Sequence, residues 1–194
     1  GTVSSALAGW TAWSSPRLAT SLGILMFAAF LIPPFLKGIV LGPKFAYDDF
    51  SYHAVYPAFW CIQRTISILP FTYHTYYPMN AEVISSWVLL HLRSDGSCGI
   101  VGVLWLSLTA GAVLLLVRSL GGTLSGGLVL ASLAAGSTVV GVAASRFAGT
   151  DLAGPAMLLA ALALVSSHQV ALHSTRKRSL FLLLGMIIGF SAGT

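Results

Sequence analysis

Five stretches of this chain carry apolar residues almost without interruption, and four of them reach the length that a helix needs to cross a bilayer. A hydrocarbon core of about 30 Å takes roughly 20 residues, each advancing about 1.5 Å. Leu18–Leu41, Cys98–Val117, Thr123–Ala144 and Leu152–Val170 meet that requirement. Leu180–Thr194 is shorter and reads as the opening of a fifth span cut off by the end of the chain. Pro33-Pro34 is expected to kink the first span or end its regular part, because proline withholds a backbone N–H and crowds the carbonyl four residues back. Gly, Ala and Ser recur through the third span at spacings that allow close helix approach. Residues 1–16, with Trp10 and Trp13, are too polar and too few for a span, and they lack the pattern of a signal peptide.

Between the first two spans the pattern changes. Residues 42–97 form a segment far longer than an ordinary connection of roughly 4–6 residues. Within it Tyr52, Val55, Tyr56, Phe59, Trp60 and Ile66 recur at three- and four-residue steps, and Val83, Ile84, Trp87, Val88 and His91 repeat the pattern. Such spacing places each set along one helical face and predicts two amphipathic helices in the membrane interface. Leu69-Pro70-Phe71 and Tyr76-Tyr77-Pro78 mark turns between them. The fold class expected is all-α: a polytopic transmembrane helix bundle, one module over residues 1–194, with a long outer loop carrying interfacial helices.

Composition narrows the functional classes. The 194 residues are 56% hydrophobic and 8% charged, with a mean hydropathy of +0.87, which marks a membrane protein and excludes intrinsic disorder. The formal charge of +5 is too scattered for a nucleic-acid surface. Cys61 and Cys98 make no disulfide scaffold and no zinc-ligand pattern. Arg17, Arg118 and the Arg176-Lys177-Arg178 run fall at one set of span ends, which orients those ends to the cytoplasm. All five carboxylates, Asp48, Asp49, Glu82, Asp95 and Asp151, then fall on the outer face. The chain starts at Gly1 without methionine and stops directly after an apolar run, so it reads as the N-terminal part of a longer protein.

The outer loop opens with Tyr47-Asp48-Asp49-Phe50-Ser51-Tyr52-His53. Two adjacent carboxylates beyond a span can hold a divalent metal cation, or one can act as a base tuned by the other. Either can equally cap the helix that follows.

This segment, followed by Pro57-Ala58-Phe59-Trp60, Pro70-Phe71, Tyr76-Tyr77-Pro78-Met79-Asn80-Ala81-Glu82 and Trp87, resembles the polytopic GT-C glycosyltransferases. The likeness is to the bacterial branch related to protein mannosyltransferases and aminoarabinose transferases. Asp151 and the closing Gly-Phe-Ser-Ala-Gly-Thr share in it, and it covers about Leu18–Thr194. The resemblance implies an enzyme of the bacterial inner membrane that moves a sugar from a polyprenyl-phosphate donor, with loop 42–97 outside. It also implies that the leading Asp48 is catalytic, with Asp49 standing where relatives often carry Glu.

That chemistry needs a base or a metal near the acceptor hydroxyl and cations for the departing phosphate. Asp48 and Asp49 are the candidate base or metal ligands. His53, Arg64, Arg93, Arg146 and Lys44 are the outer-face cations, arginine being favoured for its bidentate fork. Asp151 is a second acidic contributor, or else the N-cap of the fourth span. His74 and His91 read as interfacial residues, Glu82 as a first-turn carboxylate, and Trp60 and Trp87 as interface anchors or sugar-stacking rings. Two other classes compete: a noncatalytic transmembrane subunit of a larger membrane complex, and a transporter. The transporter is disfavoured because the second to fourth spans bury almost no ionisable group.

Overall fold

The computed structural model describes residues 16–37, 45, 47–70, 74, 79–169 and 177–193. Trp10, Trp13, Lys44, Phe71, the Tyr76-Tyr77-Pro78 turn and Arg176 lie outside them. Among the described residues the protein is all-α, without a strand. Its helices are α1 (Pro16–Leu36), α2 (Val55–Gln63), α3 (Asn80–Leu92), α4 (Cys98–Ser119), α5 (Leu124–Gly136), α6 (Thr138–Ser145), α7 (Thr150–Gln169) and α8 (Lys177–Ala192).

Two helices, Asp95–Ser119 and Phe147–Ser167 counted with their leading 3-10 turns, are long and apolar enough to cross a membrane. A third crossing exists if α5 and α6 act as one span, and here the structure departs from the sequence expectation. The continuous helix expected over Thr123–Ala144 is broken by a bend of 61° after Gly136. Ser137 takes an extended backbone (φ −63°, ψ 140°), and its hydroxyl accepts from the Val140 N–H, capping a new helix. A serine that can satisfy an orphan N–H makes the break affordable inside an apolar run. In α1, by contrast, Pro33 and Pro34 sit within the helix, which closes at Leu36. The missing N–H groups deprive the Ala29 and Phe30 carbonyls of their usual intrahelical donors.

α4 is the central element, packing on α7 and α5, while α1 lies on α5, α8 on α7 and α2 on α3. The main core joins Val101, Trp105, Leu106 and Ala110 of α4 to Ala131 and Ala135 of α5 and to Leu152, Ala153 and Ala156 of α7. So many alanines at the contacts bring the helix axes close, as in membrane bundles, where tight packing replaces the hydrophobic drive. Leu104, Leu133, Leu158, Phe181 and Met186 remain on the outside, where acyl chains would solvate them.

One glycine contact sets how closely the α6–α7 turn approaches α4. A Cβ on Gly102 of α4 would overlap the Ala144 carbonyl oxygen and stand 3.4 Å from the Gly149 nitrogen. Beside it the α6–α7 turn is reversed by positive φ at Ala148 (55°) and Gly149 (58°). Only a side-chain-free α4 surface lets this turn pack so closely.

Candidate functional site

The two helices of the 42–97 segment form a unit of their own. Tyr56 and Trp60 of α2 bury against Leu69, with Tyr52, Phe59 and Met79 around them, while Ile66, placed on the same face by its spacing, lies past the helix end and is exposed. Trp60 Nε1 donates to the Ser67 carbonyl at 2.8 Å, and Arg64 ends the helix in the left-handed region.

The second expected face is split between inside and outside. α3 buries Ala81, Glu82, Ser85, Ser86 and Val88, leaving Val83, Trp87 and Leu90 exposed. Its buried hydroxyls are satisfied locally: Ser85 Oγ donates to the Ala81 carbonyl at 3.0 Å and Ser86 Oγ to the Glu82 carbonyl at 2.8 Å. Glu82 has no such local solution and must find a partner across the site.

That partner is His53, whose Nδ1 makes a short hydrogen bond with Glu82 Oε1. His53 closes a π-helical turn, Asp49–His53, secured by the Ala54 N–H to Asp49 carbonyl bond of 2.9 Å. Its other nitrogen, Nε2, lies 3.9 Å from Asp151 Oδ1. Asp151 stands in the first turn of α7, and its Oδ2 accepts from Arg146 Nη1 at 2.8 Å. Four residues from the π turn, α3 and the α6–α7 junction thus converge. The side chains of His53 and Glu82 are 11% and 4% exposed, whereas Asp151 is 43% exposed and forms the open wall.

The surroundings hold this arrangement in place. Phe45 stacks on Phe50 at 5.0 Å and on buried Phe147 at 5.6 Å, joining the start of the outer segment to the α6–α7 turn. Tyr52 lies 4.0 Å from the His53 ring and stacks on His74 at 4.5 Å. Asn80 receives the end of α8: its N–H donates to the Gly193 carbonyl at 2.8 Å and its Nδ2 to the Phe190 carbonyl at 3.0 Å. Pro155 offers no N–H to the Asp151 carbonyl, which loosens the first turn of α7 where the carboxylate sits.

Of the residues selected from sequence, the structure brings together His53, Arg146 and Asp151. Arg146 is paired with Asp151, which reduces its value as a free phosphate cation. Arg64 and Arg93 occupy left-handed C-terminal caps of α2 and α3, and neither pairs with a carboxylate among the described residues. The acidic pair diverges in environment: Asp48 is exposed, Asp49 is 1% exposed. Asp48 makes no side-chain cap to the turn that follows it. Asp151 does not cap α7 either, since it sits inside the first turn. Among the described residues no three His, Cys, Asp or Glu side chains gather to hold a metal ion. His91 is exposed, with Nδ1 on the Trp87 carbonyl at 2.8 Å.

Glu82 and Asn80 are the residues that sequence reasoning undervalued. Both lie in the Tyr-Pro-Met-Asn-Ala-Glu stretch, and a lone Glu on the buried side of an otherwise small-residue helix was the available signal. A separate groove of about 390 Å³ runs between α2 and α3, lined by Trp60, Cys61, Ile66, Trp87 and Leu90 with Arg64 at its edge. Cys61 Sγ donates to the Ser86 carbonyl at 3.2 Å, and its burial raises the thiol pKa above the ordinary value.

Comparison of the chain with protein-family models, curated proteins and solved structures finds no match.

Proposed function

We propose that the protein is a membrane glycosyltransferase that moves a sugar from a polyprenyl-phosphate donor to an acceptor hydroxyl at the outer face of a bacterial inner membrane. The observation that carries this reading is the convergence of His53, Glu82, Arg146 and Asp151 at one end of the apolar helices. Polar groups that meet at the rim of a membrane bundle, rather than at its middle, suit a substrate whose reactive head lies at headgroup depth. Arg118 lies at the opposite end of α4 from Gly102, in keeping with a cytoplasmic position away from the cluster. The apolar α2–α3 groove, edged by Arg64, suits an isoprenoid chain with a phosphate beside it.

In this reading Asp48, which is exposed, contacts the donor sugar, a cation or the acceptor hydroxyl. The test is transfer of label from mannosyl polyprenyl phosphate by the full chain in lipid vesicles. Asp48→Asn is expected to abolish transfer while membrane insertion is unchanged, and full retained activity would remove Asp48 from the chemistry.

A noncatalytic subunit is the second reading. It is favoured by an apolar recess of about 310 Å³ lined by Gly111 and Ala112 of α4, Ala160 and Ala163 of α7, and Ile187 of α8. Small residues of this kind accept another helix. Crosslinking of a partner helix at Gly111→Cys, together with no donor binding, would favour it.

A further inference from the structure

Resting on the glycosyltransferase reading, we infer that His53 is the catalytic base that takes the proton of the acceptor hydroxyl, that Glu82 positions it, and that the hydroxyl sits in the gap between His53 Nε2 and Asp151.

The argument is a count of donors and acceptors. A carboxylate at Glu82 accepts the Nδ1–H of His53. In a neutral imidazole the other nitrogen is then an acceptor. His53 Nε2 is buried and has no hydrogen-bond partner among the described residues. Facing it across 3.9 Å is Asp151 Oδ1, also an acceptor, and Arg146 already holds Oδ2 of that carboxylate at 2.8 Å. Two acceptors that confront each other call for a donor between them, because a buried unpaired nitrogen is costly. An oxygen about 2.8 Å from each atom fits the 3.9 Å separation at ordinary hydrogen-bond lengths. The half-exposed side of Asp151 is the way in.

The alcohol to be glycosylated donates its single O–H to Nε2, while Asp151 keeps solvent on its exposed side. As its O–H proton moves to Nε2, the oxygen lone pair forms the bond to the anomeric carbon. The bond from that carbon to the phosphate oxygen breaks, and its electron pair leaves on the polyprenyl phosphate. The imidazolium so formed lies between Glu82 and Asp151, and both carboxylates interact more strongly with it than with the neutral ring. They therefore stabilise the transition state more than the ground state. The proton then passes to water at the open Asp151 side. Asp48 has no orienting hydrogen bond to a neighbour among the described residues and lacks the third group that fixes a base. Its share of the reaction is then contact with the donor sugar or a cation.

The test uses the full chain in lipid vesicles with labelled mannosyl polyprenyl phosphate and the native membrane fraction as acceptor. His53→Gln is expected to lower transfer by about 10²–10⁴-fold, the usual contribution of a positioned base. His53→Ala is expected to regain rate when imidazole is added, and Glu82→Gln to lower kcat with the donor KM unchanged. Nitrogen NMR of the wild-type imidazole should show a neutral ring protonated at Nδ1. Wild-type rates in His53→Gln overturn the inference. So do a loss that imidazole does not restore in a variant with unchanged melting, and a doubly protonated or Nε2-protonated ring at the pH of activity. Absence of transfer by the wild type overturns the glycosyltransferase reading itself, and is told apart from the other failures because it precedes any substitution.

Discussion

The His53–Glu82 pair offers the sharpest test of how this end of the bundle is held together. Both side chains are nearly enclosed, at 11% and 4% exposure, and they join segments 29 positions apart in the chain. Glu82→Leu strands the Nδ1–H of His53, and His53→Leu strands a buried carboxylate. A stranded buried polar group costs about 1–3 kcal/mol and more when charged, so each single variant is expected to lose about 3 kcal/mol. That is roughly a 150-fold change in the unfolding equilibrium, at about 1.4 kcal/mol per tenfold. The double variant removes both groups together and replaces them with apolar volume, and it should lie within about 1–2 kcal/mol of the wild type. Asp151 keeps Arg146 in either case, so no further charge is stranded. Equilibrium unfolding of the full chain in mixed micelles, carried through the double-mutant cycle, reads the coupling directly. If the losses of the single variants simply add in the double, to within about 0.5 kcal/mol, the two residues do not form a buried pair and the reasoning fails.

Two further outcomes follow from packing and burial. Gly102→Ala should destabilise the protein by about 1–3 kcal/mol, because its Cβ meets the Ala144 carbonyl and the reversed turn cannot yield cheaply. Gly111→Ala in the same helix has no atom within 4 Å of the new carbon and should instead stabilise by about 0.5–1 kcal/mol; equal effects in unfolding would refute the packing argument. Cys61 reacts as its thiolate, and burial disfavours that charged form, so maleimide labelling should keep rising above the ordinary thiol range of about pH 8.5. A labelling rate already saturated at that pH would contradict the partial burial of this thiol.

The amino-acid pattern by itself determined that this is an all-α membrane protein, since runs such as Cys98–Ser119 are too apolar and too long for anything but burial in lipid or protein. It also picked out the two helices of the outer segment, because their aromatic residues repeat at helical spacing. It could not foresee the break at Ser137, where a single hydroxyl competes with a helix that every neighbouring residue favours. Nor could it show that the opposite side of α3 carries Glu82 inward to His53, because only the fold decides which side of a helix meets which partner. His53, Arg146 and Asp151 were legible as separate chemical groups, and their common address was not. Local spacing fixes neighbours three or four residues apart, whereas the site is assembled by the close passage of Gly102 against the α6–α7 turn and by Asn80 fastening the end of α8. Those long-range contacts depend on shape complementarity between surfaces remote in the chain, which is a property of the packed structure.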